Sequence, residues 1–203
     1  MNRIPVIIFS IVIMAISSTS FAAKTKSFEL VANYKEMELT QLQKNKINLF
    51  LKEVESQVPP LLKSAISHRV EIRFSDKLKT LGFNRSLSYK IEINVSLLED
   101  IFRGKGTALP IDANLATKHP SRYSLAQGVV IHELGHIYDS PLLAKDRSDR
   151  VSKSRLFRDV MVIKKGMLKK RAKNLLTKRS PDPYEFENTK EAFSVNLEFF
   201  LLD

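Results

Sequence analysis

The sequence predicts an α+β domain in which helices surround a small sheet of two to four strands. Two observations predict it. Arg69–Phe74 and Lys90–Val95 alternate apolar and polar residues with a period of two, the pattern of half-buried strands. Longer stretches on both sides carry apolar residues at helical spacing.

The elements follow in chain order. Residues 1–22 open with Arg3, continue through an almost unbroken apolar run from Ile4 to Ile16, and end in small residues, with Ser20 and Ala22 at the −3 and −1 places. This is the pattern of a signal peptide cleaved near Ala22. The run is shorter than the ~20 residues of a spanning helix, so no stable membrane anchor is expected after cleavage. Residues 23–203 are then expected to form one domain, a length sufficient for a proper core.

Lys35–Val58 holds Leu39, Leu42, Ile47, Leu49, Leu51 and Val54 among many charges and reads as one long helix ended by Pro59 and Pro60. A short second helix and the two strands follow. Residues 103–123 carry Gly104, Gly106, Pro110 and Pro120 and read as a loop-rich approach to the next helix. That helix begins at Ser124, a side chain suited to an N-cap, buries Val129, Val130, Ile131, Leu134 and Ile137, and stops at Pro141.

From Leu156 to Leu176, apolar residues recur at roughly helical spacing while residues 164–179 read KKGMLKKRAKNLLTKR. This predicts an amphipathic helix with a cationic outer face. Ser180–Pro183 is a turn, and Thr189–Leu202 a strongly apolar terminal helix.

Composition narrows the function. There is no cysteine, which excludes disulfides, a lipoprotein anchor and thiolate metal sites, so a metal must be held by His, Asp or Glu. An exported chain without disulfides fits a bacterial periplasm or secreted fraction. Net charge is +11. With export, this favours anionic cell-surface polymers over nucleic acid as partners of the basic helix.

The stretch with explicit chemistry is HELGH, residues 132–136. In a chain with only four histidines, composition alone yields H-E-x-x-H in roughly one case in two hundred. Side chains at i and i+4 of a helix lie one turn apart on one face, so His132 and His136 can both point a ring nitrogen at one zinc ion. Glu133 is rotated beside the metal, where it can take a proton from a zinc-bound water. Gly135 leaves room for a close neighbour.

A catalytic zinc needs a third protein ligand and an open position. Asp139 shares the helix face but stands ~10 Å along the axis from His132, which suits a hydrogen-bonding or helix-end role better. Glu191 heads the terminal helix. Read from its surroundings alone, it is either a ligand or a solvated glutamate favoured by the helix dipole. Glu187 and Glu198 are the remaining carboxylates in reach.

HELGHIYD followed by a helical insert and an E-A-F helix resembles the gluzincin branch of zinc metallopeptidases, especially the catalytic domain of anthrax lethal factor. It is also similar to secreted bacterial proteins with HELGH and a terminal YEF…EAF segment. The resemblance covers roughly residues 124–203. It implies His132, His136 and Glu191 as ligands of one zinc ion, and Tyr184 as a phenol that assists the oxyanion. It also implies a zincin-like fold, an active-site helix beneath a small twisted sheet whose edge strand holds extended substrate. Ile91–Val95 is the expected edge, binding peptide by β-augmentation.

The expectation is therefore an exported zinc metallopeptidase acting on peptide or protein substrates. A cell-wall peptide amidase and a non-catalytic zincin-like binding module are the alternatives.

Overall fold

The alternating segments form strands as expected, and two short strands join them. In chain order these are β1 (Glu29–Asn33), β2 (Arg69–Ser75), β3 (Gly82–Asn84) and β4 (Lys90–Asn94). The structure is a computed structural model that describes residues 27–84, 88–103, 124–143, 150–159, 161–162 and 187–202. The expected signal peptide, most of the basic helix and Tyr184 lie outside these residues.

The sheet order is β1-β2-β4-β3, with β1, β2 and β4 parallel and β3 antiparallel to β4. The class is α+β with a small mixed sheet. Val70, Ile72 and Phe74 of β2 and Ile91 and Ile93 of β4 point into the core, and the residues between them are partly exposed. That alternation is what the period of two demanded.

One expectation fails here. Ile91–Val95 is not the sheet edge, because β3 pairs with β4 on its outer side in the register Gly82 to Ile93, Phe83 to Glu92 and Asn84 to Ile91. Among the described residues the edge on that side is β3 itself. Asn94 holds it in place. Its amide N–H donates to the Leu81 carbonyl and its side-chain NH2 to the Leu78 carbonyl, both at 2.9 Å. Val95 belongs to a 3-10 turn, Val95–Leu97, capped by the Asn94 side chain.

The helices among the described residues are α1 (Gln41–Gln57), α2 (Pro60–Ile66), α3 (Leu98–Arg103), α4 (Leu125–Tyr138) and α5 (Thr189–Leu202). Helix α1 starts later than expected because Thr40 and Gln43 form a reciprocal capping box that sets its first turn. Its buried stripe is Ile47, Phe50, Leu51 and Val54, while Leu42 and Leu49 are exposed. Pro60 sits at the start of α2, where a missing N–H costs nothing. At the head of the expected basic helix, residues 155–159 are helical, with Phe157 buried and Leu156 exposed.

Helix α4 carries HELGH and is pinned at both ends by buried aspartates. At its start, Ser124 and Gln127 form a second capping box, and the Asp100 carboxylate of α3 accepts the Ala126 N–H at 2.8 Å. At its end, the Asp139 carboxylate accepts the Ser152 N–H at 2.9 Å and the Ser152 hydroxyl. Ser152 lies in a 3-10 turn, Val151–Lys153, so this bond ties the helix end to the following segment. Burial pushes the Asp139 carboxyl up, and the Ser152 donors oppose that shift.

Between these anchors Val130, Ile131, Leu134 and Ile137 are buried, with Val129 only partly so. Replacing Asp100 by Ala strands the Ala126 N–H in the core. Asp100→Ala should therefore lower unfolding free energy by roughly 1–3 kcal/mol, and Asp100→Asn, which keeps an acceptor, by less. Urea unfolding of the three proteins measures the difference.

Candidate metal centre

Helix geometry places the His132 and His136 rings one turn apart, with centroids 4.9 Å apart and planes nearly perpendicular at 80°. The third group comes from α5. Asn188 caps that helix, its side-chain oxygen accepting the N–H groups of Lys190 and Glu191 at 2.9 and 3.1 Å. Glu191 is thereby held in the first turn, facing α4.

Its Oε2 lies 3.1 Å from His132 Nε2 and 3.2 Å from His136 Nε2. Ligands bonded at ~2.0–2.1 Å around a tetrahedral ion stand roughly 3.3–3.4 Å apart, so these contacts are close to the ligand spacing of such a site. His132, His136 and Glu191 thus form a group that could hold a metal ion, with one donor atom from each all within 4.8 Å of one another. Their side chains are 14%, 19% and 14% exposed, so the group is largely but not wholly shielded.

The other ring nitrogens are also engaged. His136 Nδ1 is 3.1 Å from Ser194 Oγ, and His132 Nδ1 is 3.5 Å from Glu198 Oε2. Both partners sit on α5 and both are buried.

Glycine makes this approach of the two helices feasible. A Cβ at Gly135 would lie 2.9 Å from the Cα of Ser194 and 2.9 Å from its Oγ. Because one of those atoms is backbone, it cannot swing away. The hydrophobic lock around it includes Phe193, buried and stacked with Tyr138 at 5.8 Å between ring centroids.

Glu133 points elsewhere, to the edge of the sheet. It is buried, accepts a hydrogen bond from the Asn84 backbone, and lies so close to β3 that a Cβ at Gly82 would be 2.9 Å from its Oε1. Burial pushes its carboxyl above the usual range, and the two imidazoles pull it back.

The imidazoles and carboxylates of the cluster shift one another in opposite directions. Burial lowers the pKa of His132, yet the carboxylates of Glu191 and Glu198 outweigh it and push the imidazole up to about 10. Burial likewise raises Glu191, and the two imidazoles overcome it and hold the carboxyl down at about 2.

Of the residues singled out from sequence, His132, His136 and Glu191 come together with Glu133 alongside. Asp139 does not join them, being tied to Ser152 as a helix-end partner. Glu187 is exposed and outside the group, and Glu198 contacts an imidazole instead of completing the ligand set. The part of Tyr184 rests on a residue outside those described. Sequence reasoning missed Ser194, Asn188 and the β3 pair Gly82 and Asn84. Ser194 had a signal, since it stands three residues after Glu191 on the same helix face.

Two outcomes follow from this geometry. Gly135→Ala should force α4 and α5 apart, costing about 1–3 kcal/mol of stability and weakening metal binding, read by thermal melts with and without zinc. Under chelation, His132 is raised from 6.5 to about 10, so its contribution is full below pH 6.5 and fades as pH rises towards 10. Glu191 is lowered from 4.5 to about 2, so its contribution is full above pH 4.5 and fades as pH falls towards 2. The chelated protein should accordingly show its greatest cluster stabilisation between pH 4.5 and 6.5, and denaturant melts of His132→Ala across pH should lose the alkaline slope.

No curated protein and no solved structure matches the chain. Among the described residues no helix is long and apolar enough to cross a membrane. The family described as Domain of unknown function (DUF7844) matches residues 31–158 and 159–203, and the chain belongs to that family.

Proposed function

We propose that the protein is an exported zinc-dependent metallopeptidase of gluzincin type, with a zincin-like fold and one zinc ion held by His132, His136 and Glu191. The observation that carries this reading is the meeting of two Nε2 atoms from α4 and one carboxylate from α5 at near-ligand spacing, with a second carboxylate, Glu133, adjoining them. A donor set of two imidazoles and one carboxylate is that of a catalytic zinc site, which keeps its fourth position for water or substrate. A purely structural site closes its fourth position and has no use for a base beside it.

When bound, zinc supplies Lewis acidity that polarises a scissile carbonyl and acidifies water. The protein's own groups carry the proton. Glu133, whose carboxyl burial raises and the two imidazoles pull back, accepts the proton of the attacking water and passes it to the departing amide nitrogen. The Asn84 N–H and the tight fit under Gly82 hold that carboxylate in one orientation.

The antiparallel edge β3 lies directly over Glu133, so an extended peptide added to that edge would bring its backbone past the base. In this reading the Tyr184 phenol donates to the developing oxyanion. The signal-like residues 1–22 direct the chain to a bacterial periplasm or the exterior, and the basic segment 164–179 attracts anionic cell-surface polymers.

Glu133→Gln should keep one zinc per chain and the melting behaviour of the wild type while losing about 10²–10⁴-fold in hydrolysis of an unfolded protein substrate. Glu191→Ala should lose zinc, read by elemental analysis. Hydrolysis undiminished in Glu133→Gln refutes the mechanism. Release of peptides from purified peptidoglycan, with unfolded protein left intact, would assign the same site to a cell-wall amidase. Zinc bound with neither substrate cleaved would leave a binding module.

A further inference from the structure

Helix α5 turns three polar side chains towards α4, Glu191, Ser194 and Glu198, at i, i+3 and i+7. The stripe is out of character with its helix, where Ala192, Phe193, Val195 and Leu197 are buried apolar residues. Ser194 is 0% exposed and Glu198 6%. Burying a hydroxyl and a carboxyl is costly unless each is matched to a partner, and the partners here are the Nδ1 atoms of the two histidines, at 3.1 and 3.5 Å.

A neutral imidazole has one N–H and one lone pair. It can direct the Nε2 lone pair at a metal only while Nδ1 carries the proton, and an acceptor on Nδ1 fixes both that tautomer and the ring rotation. Each histidine has its own acceptor, and the helix that brings the third ligand supplies both.

We infer that Ser194 and Glu198 are positioning residues of the metal centre, each holding one histidine, His136 and His132 respectively, with Nε2 turned to the ion. This rests on the metal reading above. The two are unequal, because Glu198 brings a negative charge that raises the donor strength of its imidazole, whereas Ser194 brings only a neutral acceptor. The consequence is a spacing that joins two helices into one unit. H-E-x-x-H on α4 is matched by E-x-x-S-x-x-x-E on α5, with the first Glu a ligand and the Ser and second Glu its supports.

The test compares wild type with Glu198→Ala, Glu198→Gln, Ser194→Ala and His132→Ala. Zinc affinity is measured by competition with a chromophoric chelator, the fold by thermal melting in excess chelator, and the ring protons by NMR of the zinc-loaded proteins. Glu198→Ala should weaken zinc binding about 10- to 100-fold. Glu198→Gln keeps the shape and an acceptor oxygen and should recover part of that loss. Ser194→Ala should weaken binding less than Glu198→Ala.

The Nδ1–H resonance of His132 should move upfield in Glu198→Gln while that of His136 holds, and Ser194→Ala should do the reverse. A merely structural role would lower chelated stability without this residue-by-residue signature. Zinc affinities within about twofold of wild type in Glu198→Gln and Ser194→Ala, with both resonances unmoved, would overturn the inference while His132→Ala still abolishes binding. If Glu198→Ala does not fold, Glu198→Gln decides. Failure of the wild type to bind zinc would bring down the metal reading, and this inference with it.

Discussion

The candidate metal centre depends on how closely α5 can approach α4. Side chains on two separate helices converge only if the helix backbones pass at contact distance, and here they do so at Gly135, whose missing Cβ leaves space for the backbone and hydroxyl of Ser194. The rest of the interface maintains that approach. Phe193 packs against Tyr138 and Phe157, while Ala192 and Leu197 join the same buried core. Apolar burial thus sets the spacing, and the polar stripe of α5 uses it.

An adjoining face of α4 meets a second constraint. Val129 and Glu133 lie against the sheet edge at Gly82, where again any side chain would intrude. Glycines on two elements thereby place the histidine pair against α5 and the glutamate against β3. A rotation of α4 that improved one contact would spoil the other. Buried aspartates at its two ends, Asp100 on Ala126 and Asp139 on Ser152, hold the helix along its axis. Electrostatics then act on a framework already fixed, in which Glu191 and Glu198 flank His132 from two sides.

Much of this was legible in one dimension. The period of two in Arg69–Phe74 and Lys90–Val95 marked the two central strands, since a strand with one buried face must alternate. Ser124 announced the start of α4 because its side chain is suited to cap exposed N–H groups. The short strands β1 and β3 were not legible. The three residues Gly82–Asn84 carry no periodic signal, and they form a strand because the edge of β4 offers hydrogen bonds. Without β3, Ile91–Val95 would be the edge, which is where the sequence alone puts it. In α1, Leu42 and Leu49 fit a helical period yet face outward, since periodicity reports that a helix has faces and not which face is covered.

For the site, the local chemistry is written in the chain and the convergence is not. HELGH on a helix places two imidazoles and a carboxylate within one turn, because i to i+4 spacing follows from helix geometry whatever surrounds it. Asp139 already read as a helix-end partner from its distance along the helix, whereas Glu191, with Glu187 and Glu198 behind it, could be ranked as ligands but not assigned, since a carboxylate's role is set by what it faces. Packing of α5 on α4 resolved them. Its register brings Glu191 to both Nε2 atoms and Glu198 to an Nδ1, leaves Glu187 in solvent, and leaves Asp139 to close the helix end. The sequence alone determined which groups were on offer within each helix. Only the tertiary structure, through the contact distance between two helices whose His136 and Glu191 stand 55 residues apart in the chain, decided which of them meet.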